Sequence, residues 1–112
     1  MTDAHKGTEW IAFLTPSRDG LASAPTPEEA ALIGAHFRRL VQAAESGDAV
    51  LFGRTTDEAE RPPMGIVVFR AATREDAKAW MADDPAVDAG LMRCEIRPYQ
   101  IAGGAPGVLG DG

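Results

Sequence analysis

Apolar positions along this chain fall into four short runs and two longer amphipathic stretches. The runs are Glu9–Thr15, Ala49–Gly53, Met64–Arg70 and Leu91–Ile101. In the first, Trp10, Ile11, Ala12, Phe13 and Leu14 are all apolar, and in the third Ile66, Val67, Val68 and Phe69 are. Apolar residues at both parities predict strands covered on both faces. The second run carries Val50, Leu51 and Phe52. In the last, Met92, Cys94 and Ile96 alternate with Arg93, Glu95 and Arg97, which predicts one apolar and one charged face.

The first amphipathic stretch has a strong start. Thr26 is placed as an N-cap, Pro27 as the first helical residue and Glu29 as the reciprocal partner of a capping box. Glu28 and Glu29 complement the positive end of the helix dipole. The helix is expected to run to about Ser46, with a buried stripe of Ile33, His36, Phe37, Leu40 and Ala44 and with Arg38, Arg39, Gln42 and Glu45 mostly outside. Gly47 stops it, because glycine accepts the left-handed conformation at little cost. Thr73 caps a second helix whose inner stripe is Ala77, Trp80 and Met81. Asp84–Pro85 interrupts it, with Asp84 able to cap and Pro85 to begin a further short turn that Gly90 ends.

Between these elements, 16–25 is a Ser/Gly/Pro-rich loop and 54–63 a polar one carrying Asp57, Glu58, Glu60 and Arg61. The second linker is short enough for the strands around it to pair antiparallel. Residues 1–8 read as a loose leader, 9–101 as the core and 102–112 as a flexible, glycine-rich tail of one domain. The order strand, helix, strand, strand, helix, strand is that of an α+β, ferredoxin-like split βαβ fold: a four-stranded antiparallel sheet with both helices on one face. Its other face would be bare in a monomer, and its apolar residues favour stacking on a second copy.

Composition narrows the function classes. The 112 residues suit one domain, and 45% hydrophobic with 25% charged residues places the chain among globular proteins. A formal charge of −6 argues against a nucleic-acid partner, which would want a basic face. No apolar run is long enough to span a bilayer, and the first ten residues lack the apolar core of a signal peptide. The lone Cys94 excludes an internal disulfide and fits a reducing, cytoplasmic setting. Two histidines and one cysteine make no convincing metal site, and His5 lies in the leader. No phosphate loop, nucleotide fingerprint or nucleophilic triad is present, so no cofactor and no metal are expected.

The pattern His36-x3-Leu40-x6-Gly47-x5-Gly53, then Val67-Val68-Phe69, then Ala77-x2-Trp80-x3-Asp84-Pro85-x4-Gly90 and Arg97-Pro98-Tyr99, resembles the YciI-like (YCII-related) family. The likeness spans roughly 10–101 and is most specific over Ala77–Gly90 with Arg97–Tyr99. It implies a dimeric α+β barrel, two ferredoxin-like subunits with their sheets facing each other, similar in fold to muconolactone isomerases and antibiotic-biosynthesis monooxygenases. It also implies an active site that pairs a helix histidine with the aspartate of the Asp-Pro motif, here His36 and Asp84. Two positions depart from the pattern. Arg54 follows Gly53 where proline is usual, and Ala86 follows Asp84-Pro85 where an aromatic is usual, so a wider and more anion-friendly pocket is expected.

A carboxylate against one imidazole nitrogen fixes the tautomer, and the other nitrogen can then exchange a proton with a substrate near neutral pH. On spacing alone the core histidine bonded to a backbone carbonyl is the favoured reading of His36, and the resemblance brings the functional reading level with it; Asp84 is on local grounds an ordinary helix cap, but a capping carboxylate still has a free lone pair, so both its roles are compatible. Arg54, beside the permissive Gly53, is either a bidentate holder of a substrate carboxylate or a solvated loop arginine. Phe37, Phe52 and Trp80 are expected in the core, Trp10 in the core or an interface, Cys94 as inert packing and Tyr99 at an edge. Two functions follow. One is a cofactor-free acid/base isomerase or lyase, of the muconolactone-isomerase or dehydrochlorinase kind, acting on a small anionic, unsaturated or lactone-like metabolite. The other is a non-catalytic ligand-binding or accessory protein on the same scaffold. In either case the expected partners are a second copy of the chain, as a homodimer or an oligomer built from dimers, and a small-molecule ligand.

Overall fold

In the computed structural model, which describes residues 8–57 and 59–108, β1 (Glu9–Pro16) lies inside a four-stranded sheet of order β2-β3-β1-β4. The other strands are β2 (Ala49–Arg54), β3 (Gly65–Arg70) and β4 (Met92–Pro98). Every neighbouring pair is antiparallel. The helices are α1 (Pro27–Ser46), α2 (Arg74–Ala82) and the one-turn α3 (Pro85–Asp88). This is the expected split βαβ order. The expectations for the leader, His5 and the last four residues of the tail lie outside the described residues.

The helix termini form where the sequence marks them. Thr26 accepts the Glu29 N–H at 3.1 Å and the Glu29 carboxylate takes the Thr26 N–H at 2.8 Å, which completes the capping box. Gly47 closes α1 in the left-handed region at φ 90°. Thr73 caps α2 through the Asp76 N–H.

One face of the sheet carries Trp10, Ala12, Leu14, Val67 and Phe69, which pack with Leu40 of α1 and with Ala77 and Met81 of α2 into a single core. Phe69 is fully buried and stacks on Trp80 at 4.7 Å between centroids. Trp10 belongs to this core, with its indole N–H donating to the Ala71 carbonyl at 2.9 Å. On the opposite face, Ile11 pairs with Arg97, Phe13 with Glu95 and Thr15 with Arg93, so an apolar strip lies beside a charged strand. The alternation read in β4 is observed: Arg93, Glu95 and Arg97 are exposed, while Met92, Cys94 and Ile96 are partly buried against the core.

Two expectations need correction, and one feature was not anticipated. The buried residues of α1 are Leu40 and Ala43, not Ala44, and Phe37 is 57% exposed. The face meeting the sheet is turned slightly from the expected stripe, and Phe37 instead meets Phe52 edge to face at 5.8 Å. The last strand ends at Pro98 rather than Ile101, because its partner β1 begins at Glu9; the Tyr99 N–H still reaches the Glu9 carbonyl at 3.0 Å. Finally, β2 is irregular. Ala49 pairs with Phe69 and Phe52 with Val67, both on the core side, although they are an odd number of residues apart. A register shift between Ala49 and Leu51 makes this possible by inserting Val50.

Phe69→Ala should destabilise the fold by roughly 3–5 kcal/mol, as for large core aromatics, and Phe37→Ala by less than about 1 kcal/mol, as for exposed positions. Urea unfolding of the two variants checks this ordering, and equal losses would contradict it.

Candidate active site

α1 and α3 meet at the site, and two local signals create it. Asp84 is the N-cap of α3, and its Oδ2 accepts the N–H groups of Ala86 at 3.0 Å and Val87 at 3.3 Å. Pro85 supplies the fixed φ of the first helical position, so the carboxylate is held at a rigid corner. His36 lies midway along α1 and reaches across to that corner. Its Nδ1 stands 2.7 Å from Oδ1 and 2.8 Å from Oδ2 of Asp84. The capping role and the pairing role of Asp84 are both realised.

The electrostatics fix the proton. Burial of Asp84 pushes its carboxyl up, but the hydrogen bond and charge of His36, with the N–H groups of Val87 and Ala86, outweigh this and leave it below its ordinary value. An ionised carboxylate only accepts hydrogen bonds, so Nδ1 is the protonated nitrogen of the neutral ring. Nε2 then carries a lone pair.

That ring lines a cavity of about 510 Å³ at one end of the sheet. Its walls are mainly hydrocarbon, from Leu21, Ile33, Phe37, Leu40, Phe52 and Met92 among others. Gly53 and Arg54, at the end of β2, line it too, so the structure brings them to the same hollow as His36. Asp84 does not itself line the cavity. It is fully buried behind the imidazole, because its cap geometry turns the carboxylate toward α3. Only His36 of the pair faces the hollow.

The loop before α1 closes one side. Arg18 bonds the Glu29 carboxylate through Nε at 3.0 Å and Nη2, and donates to the carbonyls of Asp19 and Ala24. This clasp holds Leu21, Ala22 and Pro25 as cavity wall. The hydrogen bond from Arg18, then that from the Thr26 backbone, holds the Glu29 carboxyl at about 2. At the β2–β3 turn, the Thr55 N–H donates to the Met64 carbonyl and the Met64 N–H to the Thr55 hydroxyl, both at 2.9 Å, which fixes the strand ends bearing Arg54.

Sequence reasoning missed one residue. Arg39, expected mostly outside, lies against Trp80 with its guanidinium carbon 4.4 Å from the ring centroid and its Nη1 3.7 Å from Asp84 Oδ1. Its i,i+3 relation to His36 was the available signal. At Cys94, burial, and then the Asp84 charge, push the thiol up to about 11, which disfavours the nucleophilic thiolate. Among the described residues no group of three His, Cys, Asp or Glu is placed to hold a metal ion. No described helix is long and apolar enough to cross a membrane.

These features define an α+β protein with an imidazole–carboxylate pair at the edge of an apolar hollow. Residues 10–100 match the YCII-related domain, and the chain belongs to that family. No curated protein matches the chain significantly.

The Asp84 carboxyl sits below its ordinary 3.8 in the folded chain, so the unfolded chain takes the proton first as pH falls. Its stabilising contribution is therefore full above the ordinary carboxylate range and lost as pH drops through the depressed value. Asp84→Asn keeps an oxygen for the cap but loses the charge. Wild type should be more stable than this variant by roughly 1–3 kcal/mol near neutral pH, with the gap shrinking steadily below about pH 4. Denaturant midpoints over a pH series read this, and a gap independent of pH would contradict it.

Proposed function

We propose that this protein is a small acid/base enzyme that moves a proton on an anionic, unsaturated or lactone-like metabolite, with His36 as the acid/base, Asp84 as its orienter and Arg54 as the anion anchor. The observation that carries this reading is the bond from Nδ1 of His36 to Asp84, which leaves Nε2 basic at a largely apolar cavity.

The chemistry follows from that placement. Nε2 takes a proton from a carbon beside the substrate carbonyl, and the electron pair left behind delocalises onto the carbonyl oxygen. Return of the same proton to the far carbon of the conjugated system completes an isomerisation. Departure of a leaving group from the neighbouring carbon completes an elimination instead, and the proton then leaves with solvent. Asp84 stabilises the transient imidazolium and remains ionised throughout. The apolar walls strengthen these charge interactions by excluding water. Arg54, in place of the proline usual at this position, can fork onto a substrate carboxylate.

The working unit in this reading is a homodimer with sheets face to face. The strip of Ile11, Phe13 and Ile66 on the face away from the helices supports it, with Leu51 beside it 46% exposed. Covering such a strip favours association.

A screen of unsaturated acids and lactones, run alongside light scattering for the dimer mass, tests both statements. Turnover should fall about 100- to 10,000-fold in His36→Gln, the range for removing a general acid/base. Turnover that survives this change intact would remove His36 from the reaction. Tight binding of these compounds with no turnover would favour an accessory, ligand-carrying role.

A further inference from the structure

The imidazole–carboxylate pair has a third charged neighbour, and its placement is unlike that of an ordinary surface arginine. Arg39 follows His36 by one helical step on α1 and reaches Asp84. Its Nη2 donates to the Trp80 carbonyl at 2.6 Å, and its guanidinium lies over the Trp80 ring, which is itself stacked on fully buried Phe69. The head group is thus held by the core through Trp80. Its Nη1 is closed off from solvent and makes no hydrogen bond, and Asp84 Oδ1 lies 3.7 Å from it. A buried donor without an acceptor is costly, so packing of the stem alone does not explain why the cation sits here.

We propose that Arg39 is a positioning residue for the His36–Asp84 pair: its guanidinium stands beside Asp84 as a second cation and opposes the extra positive charge on the imidazolium, so that His36 readily returns the proton it takes. The inference rests on the reading of this pair as the proton-handling group. Asp84 has two cationic neighbours when His36 is protonated and one when it is neutral. With Arg39 in place the carboxylate keeps a cation beside it at both stages, and the Nδ1 proton has no reason to cross to Asp84. The same positive charge, a few ångströms beyond the carboxylate, disfavours the imidazolium. Without it, Asp84 would act on His36 alone and hold the imidazolium too firmly.

The other charged or titratable groups around the pair do not duplicate this role. Cys94 on β4 feels the Asp84 charge but stays a neutral thiol. Arg54 lies at the cavity lining on β2, on the ring's substrate side. Asp83, the C-cap of α2, is exposed. From α2 the group packed against Arg39 is the uncharged Trp80.

The test follows the His36 ring by NMR across a pH series in wild type, Arg39→Met, Arg39→Gln and Arg39→Lys, with no substrate present. Arg39→Met and Arg39→Gln remove the charge, and Gln keeps a donor for the Trp80 carbonyl should Met fail to fold. Both should move the His36 titration midpoint upward by about 0.5 pH units or more, while Arg39→Lys stays closer to wild type. In an active protein the acid limb of the pH–kcat profile should move the same way, with KM nearly unchanged. A midpoint within about 0.2 pH units of wild type in a folded charge-removing variant would overturn the proposal, and so would an equal upward shift in Arg39→Lys, which keeps the charge and would mark lost packing instead. The two readings separate cleanly. A shifted midpoint in a protein with no turnover on any substrate retires the catalytic reading only, and His36-dependent turnover with no shift retires the role of Arg39 only.

Discussion

The carboxylate of Asp84 does two jobs at one point in space, and the site depends on their coincidence. It ends two backbone N–H groups at the start of α3, and it receives Nδ1 of His36 from α1. Neither task would hold the ring alone. An uncapped Asp84 would have several rotamers, and a capped Asp84 without His36 would lose its nearest cationic partner and the hydrogen bond on Oδ1. Together they give the imidazole a single orientation and a single tautomer. In the proposed acid/base reaction, proton transfer at Nε2 would then need no rearrangement of the protein.

The fold supplies the rest by simple means. The sheet face that buries Trp10, Leu14 and Phe69 presses α1 and α2 onto one layer, which brings the middle of α1 to the α2–α3 corner. Beside that corner, on the other side of the His36 ring, α1 and the sheet do not close on each other. Phe37 and Phe52 meet edge to face there, and the Arg18–Glu29 clasp pins the preceding loop as a wall. The same helix thus seals the core through Leu40 and leaves a hollow one turn earlier, at His36. That division of a single helix face into packing and cavity is what gives a small domain room for a ligand.

Much of this was legible in the sequence because local chemistry and global fold agree at those points. Thr26-Pro27 with Glu29, Thr73 with Asp76, and Asp84-Pro85 each name a helix start by the groups that satisfy its free N–H donors. The alternation through Met92–Arg97 names a strand with one charged face. The His36–Asp84 pairing was legible only through resemblance, since the two residues are distant in sequence and each has an ordinary local explanation. What could not be read depends on tertiary geometry. Phe52 reads as core, but the extra residue at Val50 that rephases β2 and puts both Ala49 and Phe52 on the core side is revealed by no alternation rule. Phe37 looks like core because apolar residues usually are, and only the open end of the layer makes it a cavity wall. Arg39 looks solvated because arginines usually are, and only the stack on Trp80 draws it inward.

The central claim is that Asp84 holds the His36 proton on Nδ1 and leaves Nε2 bare. Nitrogen-15 NMR of the imidazole, recorded where the ring is neutral, reads this directly. The account predicts a protonated Nδ1, an unprotonated Nε2, and loss of that preference in Asp84→Ala. A ring protonated at Nε2, or one averaging between the two tautomers in the wild-type protein, would contradict it.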